Sequence, residues 1–146
     1  MKYYKYIFVA FILLLWGCAG QDETKKEIKM NPAEISACSN EVTIANSNEF
    51  MGETVSNLTA SAAGNSIAVT FDVRTLCSSQ LSADLVLDGN KIQLKLRNMV
   101  SPSGNCVCNK RFSTTVTSLS AGTYSVMVTN YAGNQILEIA NGIVVQ

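Results

Sequence analysis

The chain of 146 residues contains no histidine. That removes the usual base of a serine or cysteine triad and the commonest nitrogen ligand for zinc or copper. Its single tryptophan, Trp16, falls in the N-terminal apolar run, so the aromatics beyond it reduce to Phe50, Phe71, Phe112, Tyr124 and Tyr131. Sugar-binding modules stack pyranose rings on exposed aromatics, whereas Phe71, Phe112 and Tyr124 fall on apolar strand faces. A carbohydrate platform is thus poorly supplied, and carbohydrate is not the expected ligand. Charge of one sign is missing too: 11 basic residues stand against 11 acidic ones, and nothing in that balance attracts nucleic acid. The acids offer no hydrolase pair, because Asp72 and Asp84 fall on solvent faces of strands and Asp88 serves a tight turn. No catalytic residue, metal or cofactor is expected.

The N-terminus carries the most specific signal. Lys2 and Lys5 precede the apolar run Ile7 to Leu15, which is too short to cross about 30 Å of hydrocarbon as a stable helix. It ends in Leu15-Trp16-Gly17-Cys18. This resembles the lipobox of bacterial lipoproteins, in which the signal is cut before the cysteine and the new N-terminal residue, here Cys18, carries acyl chains. Each buried methylene contributes about 0.8 kcal/mol, and two or three chains anchor a protein stably where one does not. Gln21-Asp22-Glu23 resembles the short acidic signal that sends lipoproteins of the Bacteroidota to the outer face of the outer membrane. The resemblance implies an outer-membrane, surface-exposed protein tethered to the membrane but not spanning it. Removing residues 1–17 takes away Lys2 and Lys5 and leaves 9 basic residues against 11 acidic, a net charge of −2.

From Gln21 to Met30 charge dominates, and such a segment cannot bury enough apolar surface to offset the entropy of ordering it. The expected organisation is a signal peptide over 1–17, a lipidated cysteine and tether over 18–37, and one domain over 38–146. That last span suffices for one small core but not for two.

Alternation with a period of two governs the domain. Leu81 to Leu87, then Asp88-Gly89-Asn90, then Lys91 to Arg97 reads as a hairpin, with Ile92, Leu94 and Leu96 inward and Lys91, Gln93, Lys95 and Arg97 outward. Leu58 to Ala62 leads through Gly64-Asn65 into Ile67 to Val73, a second hairpin. Phe112 to Val116, Tyr124 to Val128, Ile136 to Ile139 and Ile143 to Val145 complete about eight short strands, with no helical period held over three turns. The spacing predicts an all-β antiparallel sandwich. Within it, Leu119-Ser120-Ala121-Gly122-Thr123-Tyr124-Ser125-Val126-Met127-Val128 is similar to the turn into a late strand of immunoglobulin-like domains. There the tyrosine folds back, setting its hydroxyl on a backbone group near the preceding corner while its ring joins the core.

With Cys18 assigned to lipid, Cys38, Cys77, Cys106 and Cys108 remain, an even number in an exported chain, and disulfides are the default outcome. Cys106 and Cys108 on an extended segment project to one side, near the outer limit for bonding each other without strain. Each therefore pairs with Cys38 or Cys77, in one of two connectivities. Closing the loop from Cys77 to the Cys106 region constrains the unfolded chain by roughly 3 to 4 kcal/mol in the entropic picture. The competing reading, a cysteine-ligated metal or thiol enzyme, lacks the paired Cys-x-x-Cys knuckles of structural zinc sites.

Cys77, a hairpin, Cys106-Val107-Cys108 and then Gly122-Thr123-Tyr124 together resemble small Bacteroidota lipoproteins with an immunoglobulin-like domain, a likeness that implies no particular activity. The clearest break between strong strands is the loop from Met99 to Asn105. Its residues Val100, Ser101, Pro102, Ser103, Gly104 and Asn105 form a candidate recognition loop, or a connector braced by the disulfides. The expectation is a non-enzymatic, lipid-anchored binding or accessory domain with a protein partner. An inhibitor of secreted proteases or lysozyme acting through that loop is the alternative.

Overall fold

The computed structural model describes residues 27–45, 52–100 and 103–146. The signal at 1–17, Cys18, the first part of the tether, and Ser101 and Pro102 lie outside the described residues. Among the described residues there is no helix, and ten strands run in chain order: β1 (Lys29–Met30), β2 (Glu34–Ile35), β3 (Ser39–Thr43), β4 (Thr54–Ala63), β5 (Ser66–Leu76), β6 (Leu81–Asp88), β7 (Lys91–Asn98), β8 (Cys106–Thr117), β9 (Gly122–Asn130) and β10 (Ile136–Val145).

They form a β-sandwich. In one sheet β8 pairs with β5 and β5 with β4, while β1, β2 and β3 line up along the other side of β8; the second sheet has the order β10, β9, β7, β6. Two hairpins close as the alternation requires. Gly64-Asn65 joins β4 to β5 and Gly89-Asn90 joins β6 to β7, with glycine at the first turn position and φ of 56° and 55°. That is where a II′ turn demands positive φ.

Three features differ from the reading of the sequence. The pairing is not wholly antiparallel, because β7 and β9 run parallel; the chain crosses to β8 in the opposite sheet between them, and two crossings restore its direction. The two segments expected at 136–139 and 143–145 form one strand, β10, carrying a register shift between Ala140 and Ile143. The stretch 29–37, which composition assigns to the tether, already pairs with β8: Lys29 opposes Thr117 and Glu34 opposes Ser113, and the run continues to Thr43 opposite Cys106. The added strands are thus three pieces of one interrupted edge strand. They cover the open side of β8, whose unpaired backbone would otherwise be a template for association.

The core lies between the sheets. Ile67, Val69, Phe71 and Val73 of β5 are fully buried, as are Ile92 and Leu94 of β7 and Val126 and Val128 of β9. Phe71 and Phe112 are register partners whose rings stack with centroids 4.8 Å apart. Tyr124 folds back as its motif implies, donating its hydroxyl to the Ser120 carbonyl at 3.0 Å while its ring is buried. Along one side β10 lies beside β4, so the sheets approach each other there.

Strand direction gives the sandwich two unlike ends. The chain enters at Lys29, beside Thr117, and at this end sit the turns Gly64-Asn65 and Gly89-Asn90 and the C-terminus. The far end collects the 77–80 corner, the described parts of the 99–105 connection, the 131–135 turn and the start of β4.

Candidate binding groove at the far end

The four cysteines among the described residues converge at the far end and form two bridges, Cys38 to Cys108 and Cys77 to Cys106. The inward alternation of β8, through Phe112 and Lys110, places Cys108 and Cys106 on one face as expected. The flanks of β8 decide the partners. Cys38 precedes β3 on one side and meets Cys108, whereas Cys77 follows β5 on the other and donates its N–H to the Cys106 carbonyl at 2.8 Å. The alpha carbons are 5.5 and 5.4 Å apart, inside the ordinary disulfide range. Cys38, Cys77 and Cys108 hold their sulfurs within 4.8 Å of one another, so the bridges lie side by side, and sulfur committed to an S–S bond is not a thiolate ligand. Lys110 completes the knot, its Nζ donating to the carbonyls of Cys77 and Ser79.

The candidate recognition loop is tied to the same knot. Ser78 Oγ donates to the Ser103 carbonyl at 2.7 Å and accepts from the Ser103 N–H at 3.0 Å, and the Asn105 carbonyl accepts from the Ile44 N–H. Gly104 and Val100 lie on either side of the braced Ser103, and Val100, like Met99 before it, is exposed. The described part of this loop is therefore a pinned crossing between sheets.

A groove opens beside it, where the start of β4 parts from the start of β10. Its volume is about 700 Å³, inside the range of small-ligand clefts. The floor is apolar, formed by Val55, Leu96 and Leu137, and the rim carries Glu53, Arg97, Asn98, Tyr131 and Gln135. Tyr131 stands in the turn that follows β9 and so belongs to no strand face. It is 55% exposed, with the Arg97 guanidinium 5.2 Å from its ring centroid. Arg97 Nη2 reaches Asp84 at 3.4 Å, while its Nε is shielded from solvent and meets no acceptor among the described residues.

The platform is braced from behind. Asn130 Oδ1 accepts from the N–H groups of Asn134 and Gln135, and Asn130 Nδ2 donates to Asn134 Oδ1 at 2.8 Å. Gly133 has φ of 73°, and a Cβ there would meet Lys95 Cε at 3.0 Å and Gln93 Nε2 at 3.1 Å. Those atoms are the ends of flexible side chains that can move aside, so it is the positive φ that favours glycine in this turn. Asn98 is held as well, its Oδ1 accepting from the Gln80 N–H at 3.0 Å and its Nδ2 donating to Glu53 at 3.5 Å.

Scans against known protein families, curated proteins and solved structures find no match. The site is therefore read from its own residues.

A second polar cluster lies on the outer face of the first sheet. Arg111 Nε and Nη2 donate to the two oxygens of Asp72 at 2.9 and 3.2 Å, and Asn57 Nδ2 donates to Asp72 at 2.9 Å. These bonds, the guanidinium's first, hold the Asp72 carboxyl below its ordinary value of 3.8. Asn57 sits at a register shift between Ser56 and Thr59 with φ of 57°, a bulge in β4. Of the other strand acids, Asp84 pairs with Arg97 and Asp88 opposes Lys91 where β6 enters its turn.

Proposed function

We propose that this chain is a non-enzymatic binding module of a bacterial cell envelope, anchored through acyl chains on Cys18 and presenting the far end of its sandwich away from the membrane. One observation carries the reading: the chain enters the fold at Lys29, at the end opposite the groove and the disulfides. A lipid on Cys18, eleven residues upstream of Lys29, then sets the entering end toward the bilayer. The twelve residues of β8 run from that end to the bridges, a span of about 36 Å at ~3.3 Å per residue. A braced, concave, chemically mixed surface is thereby held off the membrane. Binding sites favour such loops on rigid scaffolds, and paired cysteines suit an oxidising compartment.

The test is metabolic labelling of cells expressing the full chain with an alkyne analogue of palmitate. Label is expected on the wild type and absent from Cys18→Ser, which should also leave the membrane fraction after washing. Unlabelled wild type, or a Cys18→Ser product that stays bound to the envelope, would overturn the anchoring.

A further inference from the structure

We infer that the far-end groove binds a neutral oligosaccharide, with the Tyr131 ring as its stacking platform. This rests on the reading of the molecule as a binding module and departs from the expectation, drawn from aromatic composition alone, that carbohydrate is poorly provided for. Tyr131 supplies the missing surface. Arg97 lies over one face of the ring and the residue as a whole is 55% exposed, so the opposite face is offered to the C–H groups of a pyranose.

The rim has the donor and acceptor set that vicinal hydroxyls use. Glu53, Arg97, Asn98 and Gln135 are all planar groups offering two adjacent polar atoms. Arg97 Nε retains donor capacity that no described residue uses, and a ligand hydroxyl there would recover the cost of a shielded, unpaired N–H. Charge argues for a neutral ligand. Among the described residues Glu53 is the one acid on the rim and Arg97 the one cation, and the charge of Arg97 is already shared with Asp84. Nothing favours a polyanion over an uncharged chain. The groove is open rather than enclosed, with Ile136 58% exposed at its edge, so an extended oligomer fits better than a small buried metabolite. Finally, the platform is ordered before binding, because Gly133 and the Asn130–Asn134 bonds fix the turn that carries the ring. Preorganisation of this kind reduces the ordering cost of association.

The experiment is affinity electrophoresis of the mature lipidated chain in detergent, through gels containing a neutral β-glucan, α-glucan, mannan or xylan, with polygalacturonate and heparin as anionic controls. Retardation by at least one neutral polymer is expected, with none by the anionic ones. Tyr131→Ala should weaken binding about tenfold or more, without changing the melting temperature, since the side chain is exposed. Tyr131→Phe should stay close to wild type because it keeps the ring, and Gly133→Ala should lose affinity by displacing the turn. No retardation by any neutral polymer, preference for an anionic one, equal binding by Tyr131→Ala, or a protein captured through this groove in place of glycan would each overturn the inference. Failure here with Cys18 still labelled by the palmitate analogue removes the ligand alone. Loss of the label removes the surface anchoring instead.

Discussion

Asp72 shows what one exposed ion pair does in this fold. Its carboxylate receives two bonds from Arg111 and one from Asn57, and so joins β8, β5 and the bulge of β4 on the outer face. Its folded-state pKa is lowered, so the folded chain binds fewer protons than the unfolded one at acid pH. The stability this provides is fully present above the unfolded value of about 3.8 and is lost as pH falls through the lower folded value. Unfolding free energy measured by urea titration should therefore fall below about pH 4, and Asp72→Asn should flatten part of that acid limb by lowering stability at neutral pH while leaving it nearly unchanged at the acid end. An identical acid limb in the variant would remove Asp72 from the account. Salt should weaken the effect, because Arg111 is largely exposed. From the sequence Asp72 was legible only as a solvent-facing strand residue. Its partners come from strands 15 and 39 residues away, and no local pattern announces them.

At the scale of elements, β8 is the member on which the others depend. It holds β5 on one side and the interrupted edge of β1, β2 and β3 on the other, and each disulfide ties one flank to its end. The bridges close loops of 29 and 70 residues, which the chain-entropy relation converts to about 3.6 and about 4.4 kcal/mol. Replacing Cys77 and Cys106 together by serine should therefore lower the free energy of unfolding by a few kcal/mol, and replacing Cys38 and Cys108 should cost at least as much. Guanidinium titrations of the two double variants check this. A loss under about 1 kcal/mol in either would mean that the entropic account fails for that bridge. The hairpins β4–β5 and β6–β7 were readable because one face of each is buried and the alternation records it. The edge pieces were not. Every residue of β3 is exposed, and the segment is held through its backbone against β8, an interaction that leaves no mark in side-chain type.

For the molecule as a whole, polarity is the property with functional weight. Strand direction sends the entering end and the groove end to opposite poles, and the anchoring proposed above would convert that into near and far from a membrane. On vesicles carrying a headgroup-bound quencher, a fluorophore attached by click chemistry at position 65 should be quenched strongly. One at position 103 should be quenched weakly, the two lying at opposite ends of strands about 36 Å long. Equal quenching would mean that the sandwich lies flat on the bilayer, with its groove no longer held outward.

The sequence by itself determined the class of fold, the inward faces of the main strands, the folded-back tyrosine and the commitment of four cysteines to two bridges. All of these follow from short-range chemistry: a period of two, a turn residue that tolerates positive φ, an even count of thiols. Only the tertiary structure decided which cysteine pairs with which, because that depends on which strands flank β8. It also decided that residues 29–37 join a sheet edge, since backbone pairing needs a partner and not a pattern. The groove belongs to the same category. Glu53, Arg97 and Tyr131 lie on three separate segments and become neighbours only where two edge strands diverge, and side chains in turns carry no periodicity to reveal where they will stand.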